Sequence, residues 1–140
     1  MCKLIMRMMR KYNSKIIYPE LSFKVNGILF KVNKELGRFR NEKQYCDAIK
    51  QFLENEKIKY EREKILPPSF EGENTGRNKI DFLIEDKIIL EIKSKPFITK
   101  NDYYQTKRYL TSFNKKLAIL ANMRSYYIKP VRVLNADANE

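Results

Sequence analysis

The chain has 140 residues, 29 lysines and arginines against 17 acids, a net charge of +12, two cysteines and no histidine. The missing histidine excludes Ser-His-Asp and Cys-His catalysis, His-ligated nucleases and zincins. Cys2 and Cys46 form no close pair, which excludes a zinc site or disulfide framework and makes a reducing cytoplasm the expected compartment.

What remains is one ordinary domain, 43% hydrophobic and 12% aromatic, large enough for a real core. Its chemistry must come from carboxylates, lysine, glutamine, tyrosine or a metal. Its charge and its pI of about 9.7 favour a polyanionic partner, nucleic acid first and an anionic membrane surface second.

Residues 1–18 read as a basic N-terminal extension, expected to be poorly ordered. Lys3, Arg7, Arg10, Lys11 and Lys15 interrupt its apolar residues, so no signal-peptide core forms. Nowhere does the chain approach the ~18 uninterrupted apolar residues of a membrane span. Residues 19–135 form the expected domain, and 136–140 a polar tail expected to fray.

Pro19 and Ser22 mark a helix start, with Ser22 as the predicted N-cap. Leu21, Val25, Ile28, Leu29, Val32 and Leu36 follow helical spacing, and Gly37 fits the position that ends the helix. A second helix is predicted over 41–56, with Tyr45, Ile49, Phe52 and Leu53 as its buried stripe. Glu42 falls in its first turn. Interaction with the helix dipole explains an acid there as well as a site role does. A strand over 59–65 stops at Pro67-Pro68, and 69–78 reads as a loop.

Two apolar runs follow, Ile80-Asp81-Phe82-Leu83-Ile84 and Ile88-Ile89-Leu90-Glu91-Ile92-Lys93. The polar link Glu85-Asp86-Lys87 makes them an antiparallel hairpin. A three-residue loop pairs Ile84 with Ile88, and therefore Asp81 with Glu91. Alternation then gathers Ile80, Phe82, Ile84, Leu90 and Ile92 on one face and Asp81, Glu91 and Lys93 on the other. Directly opposed Cβ atoms lie about 4.5–5.5 Å apart. Two carboxylates there repel unless something positive sits between them, and a divalent cation beside an ammonium meets that need. Mg²⁺ or Mn²⁺ takes such oxygen ligands, polarises a phosphoryl oxygen and acidifies water. A lysine alongside orients or deprotonates the attacking water, the second role requiring a depressed pKa. The same pattern is also compatible with a half-exposed hairpin carrying scattered charges.

Pro96 stops the hairpin. Thr99 caps a third helix, with Asp102 completing a capping box. Gln105 and Tyr109 share a face of it. Gln105 suits a water or a phosphate; Tyr109 suits either the core or a stacked base. Lys95, Lys107 and Arg108 add a basic surface for nucleic acid. Strands are predicted over 117–122 and 127–134. The order α-α-β-β-β-α-β-β requires a crossover, which gives an α/β fold with a mixed sheet flanked by helices.

Several of these residues form a recognisable series: Gly37-Arg38-Phe39-Arg40-Asn41-Glu42-Lys43-Gln44-Tyr45, then Asp81, then Glu91-Ile92-Lys93, then Gln105-Thr106-Lys107-Arg108-Tyr109. From about residue 21 to 135 the chain resembles the GxxExxY family of the PD-(D/E)XK nuclease superfamily. Two positions depart from that pattern. Phe39 stands where a glycine is expected three residues before the motif glutamate, and Asn33 where a histidine is common. The resemblance implies a restriction-endonuclease-like αβββαβ core and a Mg²⁺- or Mn²⁺-dependent nuclease. Asp81, Glu91 and the Ile92 carbonyl would hold the metal and Lys93 would serve the water. Glu42, as an outer ligand through water, and Gln105 would complete the site.

Three function classes follow. The first is a nuclease acting on DNA ahead of RNA; one site per chain would cut one strand, so double-strand cutting calls for a homodimer or a second encounter. The second is a nucleic-acid-binding module with the nuclease fold and little cleavage. The third is a small basic RNA-processing or interaction protein without an active site.

Overall fold

The computed structural model describes residues 17–139. Helices α1 (Pro19–Leu36) and α2 (Glu42–Asn55) come first, then strands β1 (Tyr60–Ile65), β2 (Lys79–Ile84) and β3 (Ile88–Lys93). Helix α3 (Lys100–Phe113) leads to β4 (Leu117–Asn122) and β5 (Val131–Leu134). The sheet order is β1-β2-β3-β4-β5. Only β3 and β4 run parallel, joined across α3, and the other neighbours are antiparallel. This is the mixed sheet flanked by helices that the element order predicts.

The sheet is buried on both sides. On one face α1 and α2 lay Val25, Ile28, Leu29, Val32, Tyr45, Ile49 and Leu53 against Phe82, Ile84, Ile88, Leu90, Ile92, Leu117 and Ile119. On the other, Tyr109 and Leu110 of α3 cover Leu66, Ile80, Leu83, Ile89, Ala118 and Val133. Every residue of β4 is buried, as suits a strand covered on both faces.

Helix α1 begins at Pro19, whose fixed φ suits the first helical position. Ser22 is not its cap: it lies inside the helix, buried, where its hydroxyl accepts from Arg132 (2.9 Å). The preceding Tyr18 takes a left-handed φ of 51° without a side-chain cap. Ile17 and Tyr18, just ahead of the helix, pack on the core. The rest of the basic extension, residues 1–16, lies outside the described residues. Gly37 closes α1 with φ 76°, a conformation that glycine adopts at no steric cost. Asn41 caps α2 in a full capping box with Gln44.

Two further expectations change. Residues 123–130 are turn and irregular chain, so the last strand holds only four residues. After it, Asn135 is buried and donates to the Leu110 carbonyl (3.3 Å), and the Asn139 N–H donates to Asn114 Oδ1 (3.2 Å). Ile80 leaves the face of Phe82 and Ile84 and joins the α3 layer. Across from this part of β2, Glu63 on β1 takes φ 54°, and the pairing on either side of it is Arg62↔Phe82 and Lys64↔Ile80. Among the described residues no helix is long and apolar enough to cross a membrane.

Candidate active site

The β2–β3 hairpin has the predicted register. Ile84 faces Ile88, Leu83 faces Ile89 and Phe82 faces Leu90. The turn closes with Glu85 and Asp86 at φ 52° and 57°, and the Lys87 N–H bonds the Ile84 carbonyl at 2.9 Å. Pairing stops where the acids begin. There the carboxylates replace the missing backbone partners: Glu91 Oε1 accepts from the Asp81 N–H (3.0 Å), and Asp81 Oδ2 accepts from the Ile92 N–H (2.7 Å). The two acids thus interlock across the opened end of the hairpin. Leu90 and Ile92 flank Glu91 and belong to the α1–α2 layer, so alternation sends Glu91 and Lys93 toward α3.

Burial and mutual repulsion dominate the electrostatics. Glu91 is 5% exposed. Burial, then the charge of Asp81, push its pKa from the usual 4.5 up to about 8. Burial also raises Asp81, against its bond from the Ile92 N–H; Glu42 raises it further, while Lys93 and Arg62 pull it down. The pair is therefore short of positive charge despite the ammonium of Lys93. Each carboxylate has one oxygen outside the interlock, and the donor set is all hard oxygen. That is the chemistry a divalent cation of the Mg²⁺ class accepts.

Two helices flank the pair. Glu42, in the first turn of α2, raises both Asp81 and Glu91 electrostatically. Among the described residues no three His, Cys, Asp or Glu side chains converge closely enough to hold an ion, so Glu42 stands off from the two inner acids. From the other side Tyr109 of α3 feels Glu91 and Asp81; burial first, then those charges, raise its hydroxyl. Tyr109 is 7% exposed, packs in the α3 layer and has an edge in the cleft beside Arg108. Gln105 forms no hydrogen bond to either carboxylate. It lines a cleft of about 460 Å³ beside Arg108, Arg77, Asn78 and Phe70.

Of the three cations expected on the binding surface, two are engaged within the chain. Lys95 pairs with Asp102 at 2.6 Å. Lys107 donates to the Leu134 carbonyl. Arg108 alone of the three is exposed in the cleft.

The strand end carrying Lys93 is well anchored. Asn122, buried at the end of β4, accepts from the Lys95 N–H (3.1 Å) and donates to the Lys95 carbonyl (2.7 Å). The Ser94 hydroxyl donates to the Arg40 carbonyl at 2.7 Å, which joins this strand end to the turn before Glu42. Within that turn the buried Tyr45 hydroxyl donates to the Gly37 carbonyl (2.5 Å) and accepts from the Arg40 N–H (3.3 Å). Phe39 has no left-handed φ, so this turn needs no glycine there. Asn33, the other departure, donates to the Met123 carbonyl at 3.0 Å and ties α1 to the end of β4.

Residue-by-residue reading missed Arg62 and Cys46. Arg62 pairs with Asp47 (2.7 Å), lies 5.9 Å from the Phe82 ring and lends positive charge to Asp81. Its place follows from extending the hairpin register one strand further, to Arg62↔Phe82. Cys46 lies buried beneath the acids; burial, then Asp81, push its thiol up to about 12.

A mixed five-stranded sheet with an interlocked Asp/Glu pair and a lysine at one hairpin end defines a nuclease-like α/β domain. The chain matches the family model of the PD-(D/E)XK nuclease superfamily over residues 19–133, and it belongs to that superfamily. Comparison with the curated proteins and with the solved structures finds no match.

Proposed function

We propose that this chain is a divalent-metal-dependent nuclease of the GxxExxY kind that hydrolyses phosphodiester bonds of DNA. The observation that carries this reading is the interlock of Asp81 and Glu91, two buried acids raised in pKa and short of positive charge, with Lys93 beside them. Asp81, Glu91 and the Ile92 carbonyl would hold the ion. When bound, Mg²⁺ or Mn²⁺ supplies the charge that polarises a phosphoryl oxygen and acidifies water.

The chain's own groups do the rest. The interlock holds both carboxylates in place, so little ordering remains to be done on binding. Lys93 balances the acids, orients the attacking water and offsets charge on the phosphorane. Glu42, standing off, acts through water. Gln105 and Arg108 face the phosphates from α3. The +12 charge draws the polyanion in, and a cytoplasmic setting fits a sequence with two cysteines and no close pair of them.

The test is a cleavage assay on labelled single- and double-stranded DNA and RNA with Mg²⁺, Mn²⁺ or EDTA. Metal-dependent cutting of DNA is expected. Binding without any cutting would leave a nucleic-acid-binding module in place of an enzyme.

A further inference from the structure

A second surface adjoins the site on the side of α2. Arg40, Asn41, Glu42, Lys43, Ser94 and Arg124 line an open cleft of about 390 Å³. Ser94 follows Lys93 directly, so this cleft begins where the candidate site ends. The capping box engages the Asn41 and Gln44 N–H groups at the start of α2, and Arg40, Lys43 and Arg124 bring side-chain cations to the cleft. Arg124 carries a buried Nε with no hydrogen-bond partner among the described residues.

An aromatic ridge rises from the same rim. Phe39 is 78% exposed, Tyr126 67% and Tyr127 76%. Large aromatic rings gain nothing from solvent. Here they are organised: the Arg38 guanidinium lies 5.3 Å from the Phe39 ring and 5.4 Å from the Tyr126 ring. Tyr126 and Tyr127 stand edge to face at 4.7 Å. The Arg38 Nε–H donates to the Arg124 carbonyl at 2.9 Å, which locks the α1–α2 turn to the β4–β5 connection. The rings are thus displayed by two segments that are fastened together.

Resting on the nuclease reading above, we infer that this ridge is a stacking platform for unpaired bases, and that the site takes single-stranded nucleic acid. Stacked aromatics interleaved with cations are the recognition mode of single strands, because every base offers a π-face while Arg and Lys follow the phosphates. In a duplex those faces are already stacked on each other, and the rings would meet only backbone. The cleft's Arg40, Lys43 and Arg124 then carry the phosphates from the platform toward Lys93.

The experiment measures binding in EDTA, so that cleavage plays no part. The ligand is a DNA strand of about 12 nucleotides, within the usual site sizes of ~4–16. It carries 2-aminopurine, and the matching duplex serves for comparison. Wild type is expected to bind the strand at least about tenfold more tightly than the duplex and to quench 2-aminopurine. Phe39→Ala and Tyr126→Ala should each weaken strand binding roughly tenfold and relieve quenching, with an unchanged salt slope because no phosphate contact is lost. Phe23→Ala, removing another exposed ring on α1, should change nothing. Equal affinity for duplex, or wild-type binding by both ridge variants, would overturn the platform. A strand bound through the ridge but never cut with metal would sink the nuclease reading and keep the platform. Cutting unaffected by the ridge variants would do the reverse.

Discussion

Tyr45→Phe isolates the part of the fold that presents Glu42. The ring of Tyr45 is fully buried, and phenylalanine fills the same space, so no cavity opens. What disappears is one hydroxyl that donates to the Gly37 carbonyl and accepts from the Arg40 N–H. A net hydrogen bond is worth about 0.5–1.5 kcal/mol. Gly37 is only half-buried and Arg40 exposed, so water takes over part of the lost bonding. The expected loss is about 1–2 kcal/mol, a fall in Tm of roughly 3–6 °C at this chain length. The capping box of Asn41 and Gln44 still holds the helix start, so Glu42 shifts without being lost. Cleavage should fall about tenfold, inside the ~100-fold that a 1 Å misplacement can cost. Thermal unfolding with calorimetric detection and initial cleavage rates on the same samples read both effects. A variant with wild-type Tm and wild-type rate would show that the tyrosine fills space and positions nothing.

The pH response of the metal-free protein should follow from Glu91. Its pKa is raised from 4.5 to about 8 in the fold, so the proton-linked stability is fully present below 4.5 and is lost as pH rises through 8. Glu91→Gln should therefore be relatively more stable near pH 8 than near pH 5, and parallel Tm-versus-pH curves for the two proteins would contradict this. Asp102 has the opposite sign. Burial opposes its ionisation, but the Lys95 ammonium and the Thr99 N–H and hydroxyl outweigh that and hold its pKa below 3.8. Asp102→Asn should cost about 1–2 kcal/mol in urea unfolding at pH 7. That difference should shrink as pH falls below 3.8, and its persistence in acid would show that the ionised form contributes little.

Much of the site was legible because strand alternation is a short-range rule. The polar link at Glu85-Asp86-Lys87 and the pairing of Ile84 with Ile88 bring Asp81 to Glu91 without any tertiary information. The element order likewise implied the crossover that places α3 over the sheet. What was not legible depends on partners far away in the chain. Ile80 packs in the α3 layer while Phe82 and Ile84 pack against α1 and α2, a break in parity that alternation on β2 does not anticipate. Ser22 has the chemistry of a cap, but Arg132, 110 residues on, claims its hydroxyl inside the helix. Lys95 and Lys107 look like free cations in one dimension and are engaged with Asp102 and the Leu134 carbonyl in three. The aromatic ridge joins residues 38–39 to 124–127, a contact that no local pattern announces.

Asp81 and Glu91 are proposed to hold a divalent ion beside Lys93, which the chemistry would require. The most direct measurement is Mn²⁺ titration by calorimetry, run beside cleavage of labelled DNA, on wild type, Asp81→Asn and Lys93→Ala. One saturable site and metal-dependent cleavage are expected for wild type. Asp81→Asn should lose both, because a neutral amide cannot supply the charge that holds the ion. Lys93→Ala should keep fold, metal and strand while cutting nothing. Undiminished Mn²⁺ binding by Asp81→Asn, or Lys93→Ala cutting as fast as wild type, would contradict the account.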